Sequence, residues 1–323
     1  MLSAARALMR SRAAGGREFP KVPAFRDVYD MGWNPRYGEF TMVSARSGAG
    51  KSTFGLFFAA QSGLRTLYFS GDMSAFQASV KLACAEQHDS IDNIVRRLDT
   101  DEQSAILSSL PTNISFSFGD ITFEGITRMV DAYVELHNEF PELVIIDNLM
   151  DIEGCAEDYK AQMNAMQWLH NISRELGFAV MVMAHMSDKG ERGRNAPHEP
   201  GPRSEIKNGL SEKTETVLSM ALNPHTDEMH IALVKNRLGK SDPSGRQYAT
   251  VQAYPEESRY ERKGEVNRVS RSFDGGTSAS DGGVDARADA GGWSVTPLGS
   301  RFRPVADGDG DRPGELPLDA QVP

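Results

Sequence analysis

One stretch of nine residues limits the possible folds more than any other feature of this sequence. It reads ARSGAGKST at residues 45–53 and comes just after the apolar run FTMV at residues 40–43. It fits the phosphate-loop pattern GxxxxGK[ST], with Ala45 in place of the first glycine, and that pattern requires a strand before it and a helix after it. The residues predicted to hold the phosphates are Ala45, Arg46, Ser47, Gly48, Ala49, Gly50, Lys51, Ser52 and Thr53.

The chemistry of this loop points to a nucleoside triphosphate. Small residues at positions 48–50 let backbone N–H groups turn inward and form an anion nest at the N-terminus of a helix. Lys51 is placed to reach the β- and γ-phosphates, and the Ser52 hydroxyl is placed to ligate Mg²⁺. We therefore predict ATP and Mg²⁺ as cofactors. The alternative, a flexible glycine-rich turn before a helix, does not require the lysine followed by a hydroxyl residue.

The rest of the core alternates between strand and helix patterns, which predicts an α/β fold with a mostly parallel sheet covered by helices on both faces. Strands are predicted at residues 39–45, 65–70, 114–118, 143–147 and 178–184. Helices are predicted at residues 51–62, 75–87, 123–139 and 159–176, with polar helical stretches before residue 110. Strands at 216–222, 229–234 and 248–253 have short connections, so we expect them to form an antiparallel extension of the same sheet.

Two aspartates follow apolar strands and are candidates for the chemistry of hydrolysis. Asp147 ends the run LVIID, where phosphate-loop enzymes place the carboxylate that supports Mg²⁺. Asp72 follows the strand RTLYFS, which we expect to lie next to the phosphate-loop strand, and it is the candidate for positioning or deprotonating water. The alternatives are structural: Asp147 could cap the following loop, and Asp72 could be the N-cap of a helix that begins near Ser74.

Composition limits the class of protein. The hydrophobic content of 39% is that of a soluble globular chain, and no run approaches the length of a membrane span. Two cysteines, Cys84 and Cys155, cannot make a disulfide framework, so a reducing cytoplasm is expected. A net charge of −10 argues against a uniformly basic nucleic-acid binder but allows a local basic channel.

Both ends of the chain differ in composition from the core. Residues 1–18 form a basic leader that is expected to be disordered, although its arginines and lack of acids up to residue 17 also resemble a transit peptide. Residues 263–323 are rich in Gly, Asp and Pro, and we expect a disordered acidic tail because they cannot bury enough apolar surface. The folded domain is therefore predicted at residues 19–262.

Several motifs in this order resemble DnaB-type replicative helicases, including the phage primase-helicases. VSARSGAGKSTF resembles their phosphate loop, YFSGDMSAFQ the next motif, and LVIIDNL the metal-binding strand. The resemblance covers about residues 36–254 and implies a RecA-like ATPase core. That family usually has glutamate at the position of Asp72, so the carboxylate here is set back by one methylene. The glycine in SGDMS resembles the related RadA-type ATPases.

The resemblance assigns further roles to residues beyond the phosphate loop. FAVMVMAHMSDKG resembles the strand whose last residue senses the γ-phosphate, and His185 holds that place. VKNRLGK, at residues 234–240, matches the segment whose lysine and arginine reach the neighbouring subunit's nucleotide, which implies that Lys235 and Arg237 act in trans. The implied assembly is a homo-oligomer, most simply a hexameric ring. Read without the resemblance, His185 is a satisfied histidine, and Lys235 and Arg237 are solvated side chains at a turn.

A polar loop at residues 187–204 is the candidate for contact with single-stranded DNA. Loops at the ligand edge of a sheet are usually functional or disordered, and cations in such a loop would track the phosphates of a strand in a central channel. The segment at residues 201–220 resembles the family's stretch after the DNA-binding loop. A generic solvated loop is the alternative. The candidate residues are Lys189, Arg192, Arg194 and Arg203.

Together these features predict an ATP-driven, ring-forming DNA helicase motor of DNA replication. We expect a bare motor domain that could work with a separate primase or loader, has no membrane partner, and acts in the cytoplasm of a bacterial host if a phage encodes it. Two alternatives stay open. One is a recombination or repair ATPase of RecA or RadA type, and the other is a nucleotide-gated DNA-binding accessory without unwinding activity.

Overall fold

The computed structural model describes residues 17–156, 158–186 and 198–267. In this part of the chain one sheet of nine strands forms the centre of the fold, in the order β3-β2-β4-β5-β1-β6-β7-β8-β9. The strands are Phe40–Ala45 (β1), Thr66–Ser70 (β2), Ile114–Phe118 (β3), Leu143–Asp147 (β4), Ala179–His185 (β5), Thr216–Asn223 (β6), Glu228–Asn236 (β7), Tyr248–Tyr254 (β8) and Arg259–Asn267 (β9).

Helices cover both faces of this sheet. Those of the described residues are Arg26–Asp30 (α1), Lys51–Ser62 (α2), Ala75–Gln87 (α3), Ile91–Leu98 (α4), Gln103–Ser109 (α5), Phe123–His137 (α6) and Tyr159–Leu176 (α7). Successive residues of β4 point to opposite faces, so Ile145 packs in the cluster that includes Phe54 of α2. Ile146 packs with Val130 of α6 and Leu169 of α7. None of the helices described here has the length and apolar character needed to cross a membrane.

The predicted elements are present and the C-terminal extension is antiparallel, but the expected position of β2 was wrong and the extension is one strand shorter than expected. Strand β2 does not lie next to the phosphate-loop strand, because β4 and β5 lie between them. Strand β6 pairs with β1 in parallel, and the antiparallel extension begins only with β7. The order and direction of strands are set by long-range packing and are not visible in the local sequence pattern.

The folded region also extends beyond both predicted boundaries. Glu18 forms a bridge with Arg36, so the residues before position 19 already belong to the fold. At the other end β9 pairs with β8 through Asn267, five residues past the predicted limit. The remaining predictions of disorder, for residues 1–16 and 268–323, lie outside the described residues.

An N-terminal segment holds β9 against the body of the domain. The ring of Phe25 lies 4.9 Å from that of Phe54 in α2, and Trp33 is fully buried nearby. The carboxylate of Asp27 accepts two hydrogen bonds from Arg262 of β9, at 2.9 and 2.8 Å. This bidentate pair fixes the last strand, which in turn forms one wall of the cleft described next.

Candidate active site

The parallel strands β1, β2, β4 and β5 all end at the same edge of the sheet, and the residues that follow them meet there. Open α/β sheets place their ligands at this edge. A cleft of about 390 Å³ is lined by Lys51, Ser52, Asp72, Asp147 and His185. The structure therefore brings together five of the residues that the sequence assigned to phosphate, metal, water and sensing.

The phosphate loop has the backbone shape that an anion nest needs. Gly48 and Gly50 both have positive φ, at 74° and 81°, which side chains other than glycine rarely adopt. Gly50 is the N-cap of α2, and the first helical turn, whose N–H groups have no acceptor inside the helix, lines the cleft. The Lys51 ammonium donates to the carbonyl oxygens of Ala45, at 3.3 Å, and of Arg46, at 3.1 Å.

Asp147 lies at the bottom of the cleft and is only 4% exposed. The Tyr68 hydroxyl donates a hydrogen bond of 2.7 Å to its Oδ2 atom, and the Ser52 hydroxyl is also bonded to it. Burial raises the pKa of this carboxyl, while the bonds from Tyr68 and Ser52 oppose the rise. A carboxylate beside a hydroxyl, under a phosphate nest, fits the oxygen ligands that Mg²⁺ prefers.

Asp72 is exposed at the mouth of the cleft, on the short turn after β2. The structural alternative for it does not apply, because the N-cap of α3 is Ser74, which forms a capping box with Gln77. Gly71 lies so close to Asp151 that an added Cβ would come within 2.4 Å of that residue's Cβ. The turn is therefore packed tightly against the segment after β4. This packing fixes the backbone position of Asp72.

His185 ends β5, next to the strand that carries Asp147. Its Nδ1 atom lies 3.3 Å from the Lys51 ammonium, so the predicted sensor is in contact with the residue predicted to bind the phosphates. This contact joins the end of β5 to the start of α2 across the cleft. Movement of Lys51 toward a phosphate would change it directly.

Other residues of the cleft were not anticipated from the sequence. Lys81 of α3 lines it, donates to Thr53 Oγ1 at 3.2 Å and has a pKa lowered by burial. On the opposite wall the Arg259 guanidinium lies 3.7 Å from the centre of the Tyr254 ring, next to Tyr260. A cation stacked on an aromatic ring is a surface on which a nucleobase could lie. No local motif marks these residues, since the fold alone brings them to the phosphate loop.

Lys235 and Arg237 lie at the opposite edge of the sheet. Asn236 of β7 pairs with Thr216, which pairs with Thr41 at the start of β1. Five steps along β1 separate that start from the phosphate loop, roughly 17 Å at about 3.3 Å per residue. Arg237 therefore does not contribute to its own chain's cleft. It donates to the carbonyl oxygen of Glu212 at 2.7 Å and lies 3.6 Å from the Glu215 carboxylate.

Lys235 is held by its own chain. Its ammonium donates to three carbonyl oxygens, those of Ser211 at 2.6 Å, Glu212 at 3.0 Å and Thr214 at 2.6 Å. Burial lowers its pKa to about 8, and the group is still mostly protonated at pH 7. Three donors on three carbonyls favour an intramolecular clasp over the expected reach to a neighbouring nucleotide.

We expect Lys235→Met to lower the free energy of unfolding by about 2 kcal/mol, because the carbonyl groups it binds lose their donor. Lys240→Met, at an exposed position nearby, is the matched control and should change stability by less than about 0.5 kcal/mol. Urea unfolding measures both. A Lys235→Met protein as stable as the wild type would contradict the clasp.

Of the residues assigned to DNA contact, only Arg203 lies in the described part of the chain; Lys189, Arg192 and Arg194 do not. Arg203 begins a short helical turn that ends at Glu205. Its Nε atom donates to Ser211 Oγ at 3.0 Å. With Arg246 it lines an open cavity of about 750 Å³, which gives this surface a second cation that the sequence did not single out.

The chain is similar to a protein-family model and to proteins of two phages. A family model described as an AAA domain matches residues 7–191, more than half of the chain. The Gene 65 protein of Mycobacterium phage L5 is 29% identical over 254 residues, covering 75% of this chain and 91% of the relative. The Gene 65 protein of Mycobacterium phage D29 is 29% identical over 226 residues, covering 65% and 94%.

Solved structures confirm the predicted fold class. A separately solved ATPase domain superposes with a TM-score of 0.61 at 15% identity, covering 80% of this chain and 97% of that domain. A DnaB-like replicative helicase, studied together with its interactions with primase, superposes with a TM-score of 0.64 at 16% identity, covering 80% of this chain and 66% of that one. At such low identity the likeness concerns the fold, which is the RecA-like ATPase core.

Proposed function

The chain belongs to the AAA domain family, and from that premise we propose that it is an ATP-driven, ring-forming motor that moves along single-stranded DNA during replication. The observation that carries the proposal is the cleft at the edge of the sheet. It gathers Lys51, Ser52, Asp147, Asp72 and His185 although they come from four separate segments of the sequence. Each has the chemistry that hydrolysis of a triphosphate needs.

Each of these five residues has one task in this proposal. Lys51 and the N–H groups of the loop bind the phosphates, and Ser52 and Asp147 would hold Mg²⁺. When bound, that ion neutralises charge on the phosphate oxygens. Asp72 orients a water molecule and accepts its proton. His185, already beside Lys51, responds to the γ-phosphate.

A second copy of the chain would complete the site. Arg237 lies at the edge of the sheet opposite to its own cleft, so any nucleotide it reaches belongs to another subunit. An arginine supplied in this way can contribute 10³–10⁵ in rate. Head-to-tail contacts of this kind generate rings or filaments, and a hexameric ring is the assembly proposed for this chain.

DNA contact is proposed for the surface that carries Arg203. On the sequence alone it is also proposed for Lys189, Arg192 and Arg194, which lie outside the described residues. Arg203 and Arg246 line one cavity, so two cations are available there to a phosphate backbone. A replicative role is also the one named for a structure with this fold, a DnaB-like helicase and its interactions with primase. A primase or loader is the corresponding partner proposed for this chain.

The test is ATP hydrolysis by the wild-type protein with and without single-stranded DNA, followed by a strand-displacement assay. Stimulation should weaken between about 50 and 200 mM salt, because neutralised phosphates release counterions. Turnover that DNA does not change would contradict the motor. ATP binding without such turnover would favour a nucleotide-gated accessory, a candidate that the short carboxylate of Asp72 supports. Strand exchange with little unwinding would favour a recombination ATPase.

A further inference from the structure

The side chain of Arg46 joins the phosphate loop to a segment far away in the sequence. Its Nη2 atom lies 3.3 Å from Oε2 of Glu205, which is 159 residues further along the chain. The Glu205 side chain is only 7% exposed and that of Arg46 is 26% exposed. Because this pair is largely shielded from water, removing one partner leaves the other charge poorly solvated. It is therefore a stronger link than an exposed ion pair.

The main chain of Arg46 takes part in holding Lys51. The Arg46 carbonyl oxygen accepts a hydrogen bond of 3.1 Å from the Lys51 ammonium and one of 3.4 Å from the Ala49 N–H group. Oxygen atoms of a triphosphate are anionic acceptors and bind an ammonium more strongly than a neutral carbonyl does. Phosphate binding would therefore change the hydrogen bonds of the residue that holds Glu205.

Glu205 lies where little movement can be absorbed. A Cβ atom added to Gly201 would meet Glu205 Oε2 at 2.5 Å and the Met186 side chain at 2.6 Å. Met186 forms a bridge with Ile206, and its N–H group donates to the carbonyl oxygen of Ala45 at 3.0 Å. Close-packed groups pass a displacement on to their neighbours. A shift of the phosphate loop would thus reach the Glu205 segment.

The same short helical turn carries Arg203, whose N–H group donates to the carbonyl oxygen of Pro243 at 2.8 Å. That bond connects the turn to the segment that contributes Arg246 to the shared cavity. The contacts thus form a continuous series from Lys51 through Arg46 and Glu205 to Arg203. One end is proposed to bind phosphates of ATP, and the other is the surface proposed for DNA.

We propose that the Arg46–Glu205 ion pair is a positioning contact that couples nucleotide binding at the phosphate loop to the turn that carries Arg203. This inference rests on the proposed function. It adds a second route, separate from His185, by which the nucleotide and the DNA surface affect each other. Such coupling is reciprocal, so DNA bound at Arg203 must change nucleotide affinity by the factor with which nucleotide changes DNA affinity. Glu205 is a positioning residue here, because it acts through its ion pair with Arg46.

The test compares Glu205→Gln with Glu39→Gln. The substitution keeps the shape and removes the charge, and Glu39 is a matched control because it also pairs with an arginine and its side chain is 16% exposed. We expect Glu205→Gln to keep its ATP turnover in the absence of DNA. Its stimulation by single-stranded DNA should be weaker than that of the wild type by at least about fivefold. Glu39→Gln should keep both. Equal stimulation in wild type and Glu205→Gln would overturn the coupling.

A second measurement separates this inference from the proposed function. Hydrogen exchange of the amides in residues 198–206 is followed with and without a non-hydrolysable ATP analogue, in the absence of DNA. The analogue should change exchange in wild type and Glu39→Gln but not in Glu205→Gln, although all three bind it. An unchanged response in Glu205→Gln would overturn the inference even if the protein proves not to be a DNA motor. If Glu205→Gln does not fold, Glu205→Asp, which draws the carboxylate one methylene away from Arg46, gives the same comparison.

Discussion

Lys51→Ala is expected to reduce ATP turnover by about 10²–10³-fold, the usual effect of removing one preorganised donor to a developing charge. No stimulation by single-stranded DNA should remain. The lysine is 7% exposed and lies between the phosphate loop and His185. Because it is buried there, solvent cannot take the place of its ammonium group. Steady-state phosphate release measures the effect, with and without DNA.

Lys240→Ala is the control for this experiment, since it removes an exposed lysine outside the cleft. Thermal unfolding must show that Lys51→Ala is folded, because the lysine also bonds to the carbonyl groups of Ala45 and Arg46. A folded Lys51→Ala protein with near wild-type turnover would rule out the phosphate loop as the site of hydrolysis.

Arg237→Ala is expected to reduce turnover by about 10³-fold if the arginine acts on a neighbour's nucleotide. The decisive experiment mixes it with Lys51→Ala after disassembly. Each variant lacks one half of every site, but a subunit with an intact Lys51 beside one with an intact Arg237 forms a complete site. Random mixing in equal amounts gives about a quarter of such interfaces in a head-to-tail assembly, and thus about a quarter of the wild-type activity if sites act independently.

The control mixes Lys51→Ala with a chain that carries both substitutions, which can form no complete site and should stay inactive. Loss of activity in Arg237→Ala without recovery on mixing would show that its effect arises inside its own chain. The contacts of Arg237 with Glu212 and Glu215 are the structural source of such an effect.

The sequence was informative where the chemistry is local. The phosphate loop and the aspartate at the end of LVIID follow from short motifs, and the runs of apolar residues predicted the bounds of β1, β2 and β4 within one residue. Parallel strands carry their ends to one edge, so the meeting of Lys51, Asp72 and Asp147 could be predicted even though the expected position of β2 was wrong. The strands β1, β2, β4 and β5 all end at this edge, whatever their order in the sheet.

Features that depend on distant packing were not predictable. Lys81 is an ordinary helical lysine until α3 packs beside α2. Strand β9 has few apolar residues in RYERKGEVN, and a strand at the end of a sheet needs fewer, since it is covered less. Lys235 resembles a free cation until the carbonyl groups of residues 211–214 are placed around its ammonium.

The position of β9 also bears on solubility. It is the last strand of the sheet in the described part of the chain, and an outer strand with unpaired backbone groups can recruit strands from other molecules. Here it is crowded with exposed charges: Glu261, Arg262, Lys263 and Glu265. Pairing with a strand of another molecule would desolvate these charged groups, which is unfavourable. The wall of the cleft formed by Arg259 and Tyr260 is therefore protected from strand pairing that leads to aggregation.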